Sequence, residues 1–152
     1  MPQGSTRLIE RRLRSSSSAR ALLCGAGLSA AFSCATVDTA VVAEPGSEFA
    51  LALGKTATIT GTAARMTFRQ VSDDSRCPVD VQCVWAGDAK IELTISRAGS
   101  ADDAKVLSLT PPNNETTSGD LRIRFVGLAP APRSTEDRAQ RKYVAHLVVN
   151  RG

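Results

Sequence analysis

Six stretches of the chain alternate apolar and polar residues with a period of two. Phe49, Leu51 and Leu53 form the first, and Thr56–Thr60 about Ile59 the second. Met66 and Phe68, set between Arg65, Thr67 and Arg69, form the third. Ile91, Leu93 and Ile95 alternate with Glu92 and Thr94, and Leu121, Ile123 and Phe125 with Arg122 and Arg124. Tyr143, Ala145, Leu147 and Val149 close the chain, and Val106-Leu107-Ser108-Leu109 adds a short apolar run. A strand turns successive side chains to opposite faces, so this period sets one face on a core and the other in water. That is the habit of antiparallel strands, and short strands parted by turn residues are the cue for a sandwich or barrel. The expected fold is all-β: an antiparallel β-sandwich-like domain of about seven short strands, with Leu51, Phe68, Ile91, Leu93, Leu121, Ile123, Phe125 and Leu147 inward. Gly99–Asp103 and Pro111–Gly119 read as polar loops, and residues 129–142 have room for one helical turn.

The alternation begins only at Phe49. Before it, Arg7, Arg11, Arg12, Arg14 and Arg20 stand against one acid, Glu10, and a short apolar stretch follows over residues 21–32. A basic segment, a brief apolar segment and small residues beyond it make a secretory signal peptide. Two glycines in the apolar stretch, each costing about 1 kcal/mol relative to Ala, disfavour a buried helix there. Ala31-Phe32-Ser33-Cys34 resembles a lipobox, which makes Cys34 a candidate for lipidation; an ordinary export signal cut after Ala35 or after Ala43 is the alternative. Residues 1–34 are thus expected to be the leader, 35–48 a tether and 49–152 a single β domain. The expected location is exported, in the periplasm or cell envelope, with a membrane met only through a lipid at Cys34.

Removing the leader changes the electrostatics. The whole chain carries a formal charge of +4, but five of its 19 basic residues and one of its 15 acids lie in residues 1–34. What remains has equal numbers of both signs. Nucleic-acid binding draws on a basic surface that displaces counterions, and this domain has no such excess. No nucleic-acid partner is expected.

The stretch from Ser72 to Lys90 is the most informative. Cys77 and Cys83 lie six apart, with Pro78 and Asp80 favouring a turn between them. In an oxidising compartment the simplest reading is a disulfide closing a small loop. A thioredoxin-type pair has two intervening residues and a following helix, and neither is present. No Met or His is close enough in sequence to build a soft-metal site with the sulfurs. Asp73, Asp74, Asp80 and Asp88 lack the spacing of a dedicated calcium loop. No metal and no cofactor are expected. Trp85 is expected to pack on the core or over the disulfide. Asp74, Arg76, Asp80, Trp85 and Asp88 are the candidate binding surface of the loop.

Asp74-Ser75-Arg76-Cys77-Pro78, Asp80-Val81-Gln82-Cys83 and Trp85-Ala86-Gly87-Asp88-Ala89 together resemble the signature of a family of small bacterial exported proteins, often lipoproteins, that has no assigned activity. The resemblance extends more loosely over about 100 residues, from Phe49 to Leu147. It implies export and a β-rich domain, and it carries over no catalytic residue.

Catalysis has little support in the residues. His146 is the single histidine and sits within an alternating strand. Neither a Gly-x-Ser-x-Gly elbow nor a His-Glu-x-x-His helix occurs. The expected function is that of a non-enzymatic cell-envelope domain, binding or structural, with an envelope protein as partner. The alternative is a secreted inhibitor or ligand-binding sandwich that acts through loop 73–88, where a rigid loop lowers the ordering cost of association. An enzyme ranks last.

Overall fold

The computed structural model describes residues 40–152, and nine strands among them form two facing sheets. In chain order they are β1 (Val41–Ala43), β2 (Glu48–Ala52), β3 (Thr56–Ile59), β4 (Ala64–Asp74), β5 (Ala89–Arg97), β6 (Asp103–Ser108), β7 (Glu115–Ser118), β8 (Leu121–Ala129) and β9 (Val144–Arg151). One sheet has the order β1-β3-β4-β5-β6 and the other β2-β9-β8-β7. Pairing is antiparallel throughout except between β1 and β3, which run parallel. Arg138–Gln140 forms one 3-10 turn, capped by the Asp137 carboxylate, within the segment that had room for a helical turn.

The core lies where the alternation places it. Leu51, Phe68, Ile91, Leu93, Leu121, Ile123, Phe125 and Leu147 are all buried, joined by Ile59, Met66, Ile95, Leu107 and Val149. Valine, threonine and isoleucine recur in the strands, where branched side chains pack well on a pleated surface. Bulges interrupt β4 between Phe68 and Gln70 and between Val71 and Asp73, and β8 between Phe125 and Gly127. Each adds a residue to one strand and increases the local twist.

Two expectations are corrected. Residues 41–43 fall in the stretch read as a tether, yet they form β1, with Ala43 wholly buried in the core. Residues 115–118 fall in a stretch read as loop, yet they form β7 on the edge of the second sheet. The seven expected strands are the other seven. Cys34 and the rest of the leader lie outside the described residues.

The two sheets are fastened at both ends by arginines. At one end Arg97 donates to the Ser118 hydroxyl at 3.0 Å and to the Ser118 carbonyl, with Asp120 3.6 Å away. The other end carries the loop between β4 and β5, and is called here the loop end.

Candidate functional site

The loop between β4 and β5 is a hairpin extension with a stapled tip. Asp74 is opposite Ala89, and beyond it the two arms stay in register. The Ser75 amide donates to the Asp88 carbonyl at 2.8 Å and the Cys77 amide to the Ala86 carbonyl at 3.0 Å. Cys77 and Cys83 are bonded, with their Cα atoms 5.9 Å apart. Gly87 holds φ +70°, and a Cβ built there would sit 1.9 Å from the Ser75 carbonyl oxygen. Only glycine permits the arms to approach this closely. The stretch Trp85-Ala86-Gly87-Asp88 thus has a backbone reason for its third residue.

Asp74 is the anchor of the loop rather than part of its surface. Its side chain is 0% exposed and accepts from Arg76 through both oxygens, at 2.6 and 3.0 Å. Arg141 donates to it at 3.1 Å and the Tyr143 hydroxyl at 2.9 Å. Burial alone pushes its carboxyl upward, but the hydrogen bonds from Arg76 and Tyr143 and the charges of Arg76 and Arg141 outweigh this and hold it below the ordinary value. Arg76 continues across to the second sheet, donating to the Leu128 carbonyl and, at 3.0 Å, to that of Pro130. Arg141 reaches on to Glu136 at 3.2 Å. This charged cluster joins β4, the end of β8 and the start of β9. A buried carboxylate of this kind is tolerated because its lone pairs are matched by donors.

The remaining polar candidates are also engaged. Asp80 accepts from the Ser134 amide at 2.9 Å and from its hydroxyl at 2.7 Å, and those bonds lower its pKa. Beside it the Val79 amide donates to the Pro132 carbonyl at 2.9 Å. Asp88 lines an open groove with Lys90, Val106, Ser108, Thr110 and Asn113. Its oxygens take the Ser108 hydroxyl and, at 3.0 Å each, the amide and hydroxyl of Thr110. Desolvation raises the Asp88 carboxyl, and those donors bring it below the usual carboxylate value. Asp74, Arg76, Asp80 and Asp88, read from the sequence as contact residues, are brought together as the fastening of the loop.

Trp85 goes the other way. The indole was expected over the sulfurs or in the core, and it is 81% exposed. Val84 is 89% exposed, and Val79 and Val81 also face solvent. The two loop arms are so narrow, with Cys77 bonded back to Cys83 and Gly87 against Ser75, that residues 84 and 85 have no apolar layer to fold onto. Among the candidate contact residues Trp85 and Asp80 are exposed, and Asp80 has its carboxylate held by Ser134. The three exposed valines around it were missed as site residues, although three β-branched apolar residues in a turn-rich segment are the available signal.

Elsewhere the chemistry is sparse. His146 on β9 pairs with Glu48 of β2 at 2.9 Å on the outer face of the second sheet. No group of three or more His, Cys, Asp or Glu among the described residues is placed to hold a metal ion. No helix among them is long and apolar enough to cross a membrane. Searches for a matching family model, a matching curated protein and a matching solved structure each find none.

Proposed function

We propose that the chain is a non-enzymatic, exported domain of the cell envelope, and that it makes its functional contact with the stapled tip between β4 and β5. The observation that carries this reading is the exposure of Val79, Val81, Val84 and Trp85 on a loop whose charged groups are tied down. Burying an exposed valine or larger apolar side chain is worth about 1.5–3 kcal/mol, so such a tip gains by finding a contact. Holding it rigid lowers the entropy lost when the contact forms. The basic-then-apolar leader and the signature around Cys77 and Cys83 support export, and the disulfide agrees with an oxidising compartment. An envelope component is therefore the partner.

A photo-crosslinking residue placed at Val84 of the full chain, in native cells, tests this. The expected result is an adduct with an envelope component in cells whose fractions hold the chain outside the cytoplasm. Recovery of the chain in the cytoplasm, or an exported chain that gives no adduct, overturns the reading.

A further inference from the structure

The exposed large apolar residues are unevenly placed. Leu53, Val79, Val81, Val84 and Trp85 lie at the loop end, whereas Val42, Val106 and Val126 stand singly elsewhere. From Cys77 to Gly87 the loop carries a single charge, on Asp80, and Ser134 engages it. The tip therefore presents valine and indole with no free ionic group of its own. Trp is the side chain best suited to the zone between lipid headgroups and acyl chains, because its body is apolar and its N–H is polar.

The direction of β1 supplies an independent constraint. β1 runs parallel to β3, and β3 runs antiparallel to β4, so the chain enters the sandwich from the loop end. Val41 is level with Ala57 and through it with Met66. From Met66 to Asp74 the two bulges leave β4 level with the six residues of β5 from Ile95 to Ala89, so at about 3.3 Å per residue it rises roughly 20 Å. The stretch from Cys34 to Val41 spans at most about 25 Å, whatever path it takes. An acyl group on Cys34 therefore holds a bilayer no farther from β1 than about 5 Å past the level at which the stapled loop starts, which is still within its paired arms. The loop projects beyond that level.

We propose that the tip formed by Val79, Val81, Val84 and Trp85 seats in the interfacial zone of the bilayer to which Cys34 is anchored. The inference rests on the reading that the chain is exported, and adds that Cys34 is acylated. Acyl chains attach the domain, and the tip fixes its orientation, with the loop end toward the lipid and the Arg97–Ser118 end away from it. The recognised chemistry is the apolar margin of a lipid surface; the one charge within the tip, on Asp80, is engaged by Ser134.

Trp85 is the only tryptophan, so its emission reports on the tip alone. The acylated chain purified from its native membrane is reconstituted into phosphatidylethanolamine–phosphatidylglycerol vesicles, with and without bromines near the top of the acyl chains. The expected result is loss of most of the Trp85 emission in the brominated vesicles. A Val79→Asp/Val84→Asp double variant, whose folding is checked by circular dichroism, is expected to co-sediment with the vesicles yet keep its emission. Equal emission of the parent chain in both vesicles, at the wavelength of a water-exposed indole, overturns the inference. A tip that changes its emission only when envelope proteins are added overturns it in favour of a protein partner and leaves the proposed function standing. Recovery of an exported chain without acyl groups on Cys34 overturns it as well, whereas a cytoplasmic chain overturns the proposed function itself.

Discussion

Asp74 shows how one side chain governs both stability and its pH dependence. Its folded pKa lies below the ordinary 3.8, so its contribution is fully present above that value and is lost as the pH falls through the folded value. Urea midpoints measured from pH 6 downward are expected to fall below about pH 4, and Asp74→Asn is expected to lose part of that slope. The remainder belongs to Asp80, Asp88 and Asp103, which are lowered in the same direction. At neutral pH, Asp74→Ala should cost about 3–5 kcal/mol, because it removes the buried carboxylate that Arg76 and Arg141 share. Gly87→Ala is expected to lower stability by at least about 2 kcal/mol in the same denaturation assay, since the backbone there is left-handed and the Ser75 carbonyl occupies the space. None of this was legible at Asp74 itself. Its partners Arg141 and Tyr143 lie 67 and 69 residues away, and no local pattern marks an ion pair of that span. Trp85 was misread for a related reason: a large aromatic is usually buried, and the sequence does not show that the arms beside it are too narrow to cover it.

At the scale of elements, the strands with alternating apolar residues were the legible ones. β2, β3, β4, β5, β8 and β9 each show the period, and β6 was betrayed by Val106-Leu107. β7 reads Glu-Thr-Thr-Ser and has no apolar position to declare its inner face; buried Ser118 serves instead, satisfied by Arg97. β1 is three residues long, too short for any period to register, and Pro45-Gly46 after it looks like a linker. Two measurements test the elements. Phe125→Ala in β8 should cost about 3–5 kcal/mol in chemical denaturation, because the ring is fully buried between the sheets. Replacing both Cys77 and Cys83 with Ser should cost about 2 kcal/mol, the loop-closure entropy for seven residues, and lower the melting temperature by several degrees. Free thiols in non-reducing peptide maps of the native protein, or an unchanged melt of the double variant, would count against a structural bridge.

For the molecule as a whole, the position of β1 constrains where a leader of the proposed kind can end. A cut after Ala43 would remove β1 and expose the edge of β3, whereas a cut at Cys34 or after Ala35 would leave the first sheet entire. The amino terminus of mature protein, determined by mass spectrometry, is accordingly expected to precede Ala40. The second sheet imposes a different condition. Among the described strands β2 pairs with β9 alone, and Glu48 is matched with Val148, a hundred residues on. A chain threaded outward amino terminus first delivers β2 about a hundred residues ahead of the strand it needs. The β3 to β6 meander has its partners close behind it and is complete before β7 arrives, but Phe49 and Leu51 must wait for the last ten residues. On the proposed export route, passage through a channel would keep one hydrophobic strand unmatched until β9 arrives, an interval in which its open edge meets proteases and the strands of its neighbours. Loss of the segment from Val144 to Val148 removes the latch that ends that exposure.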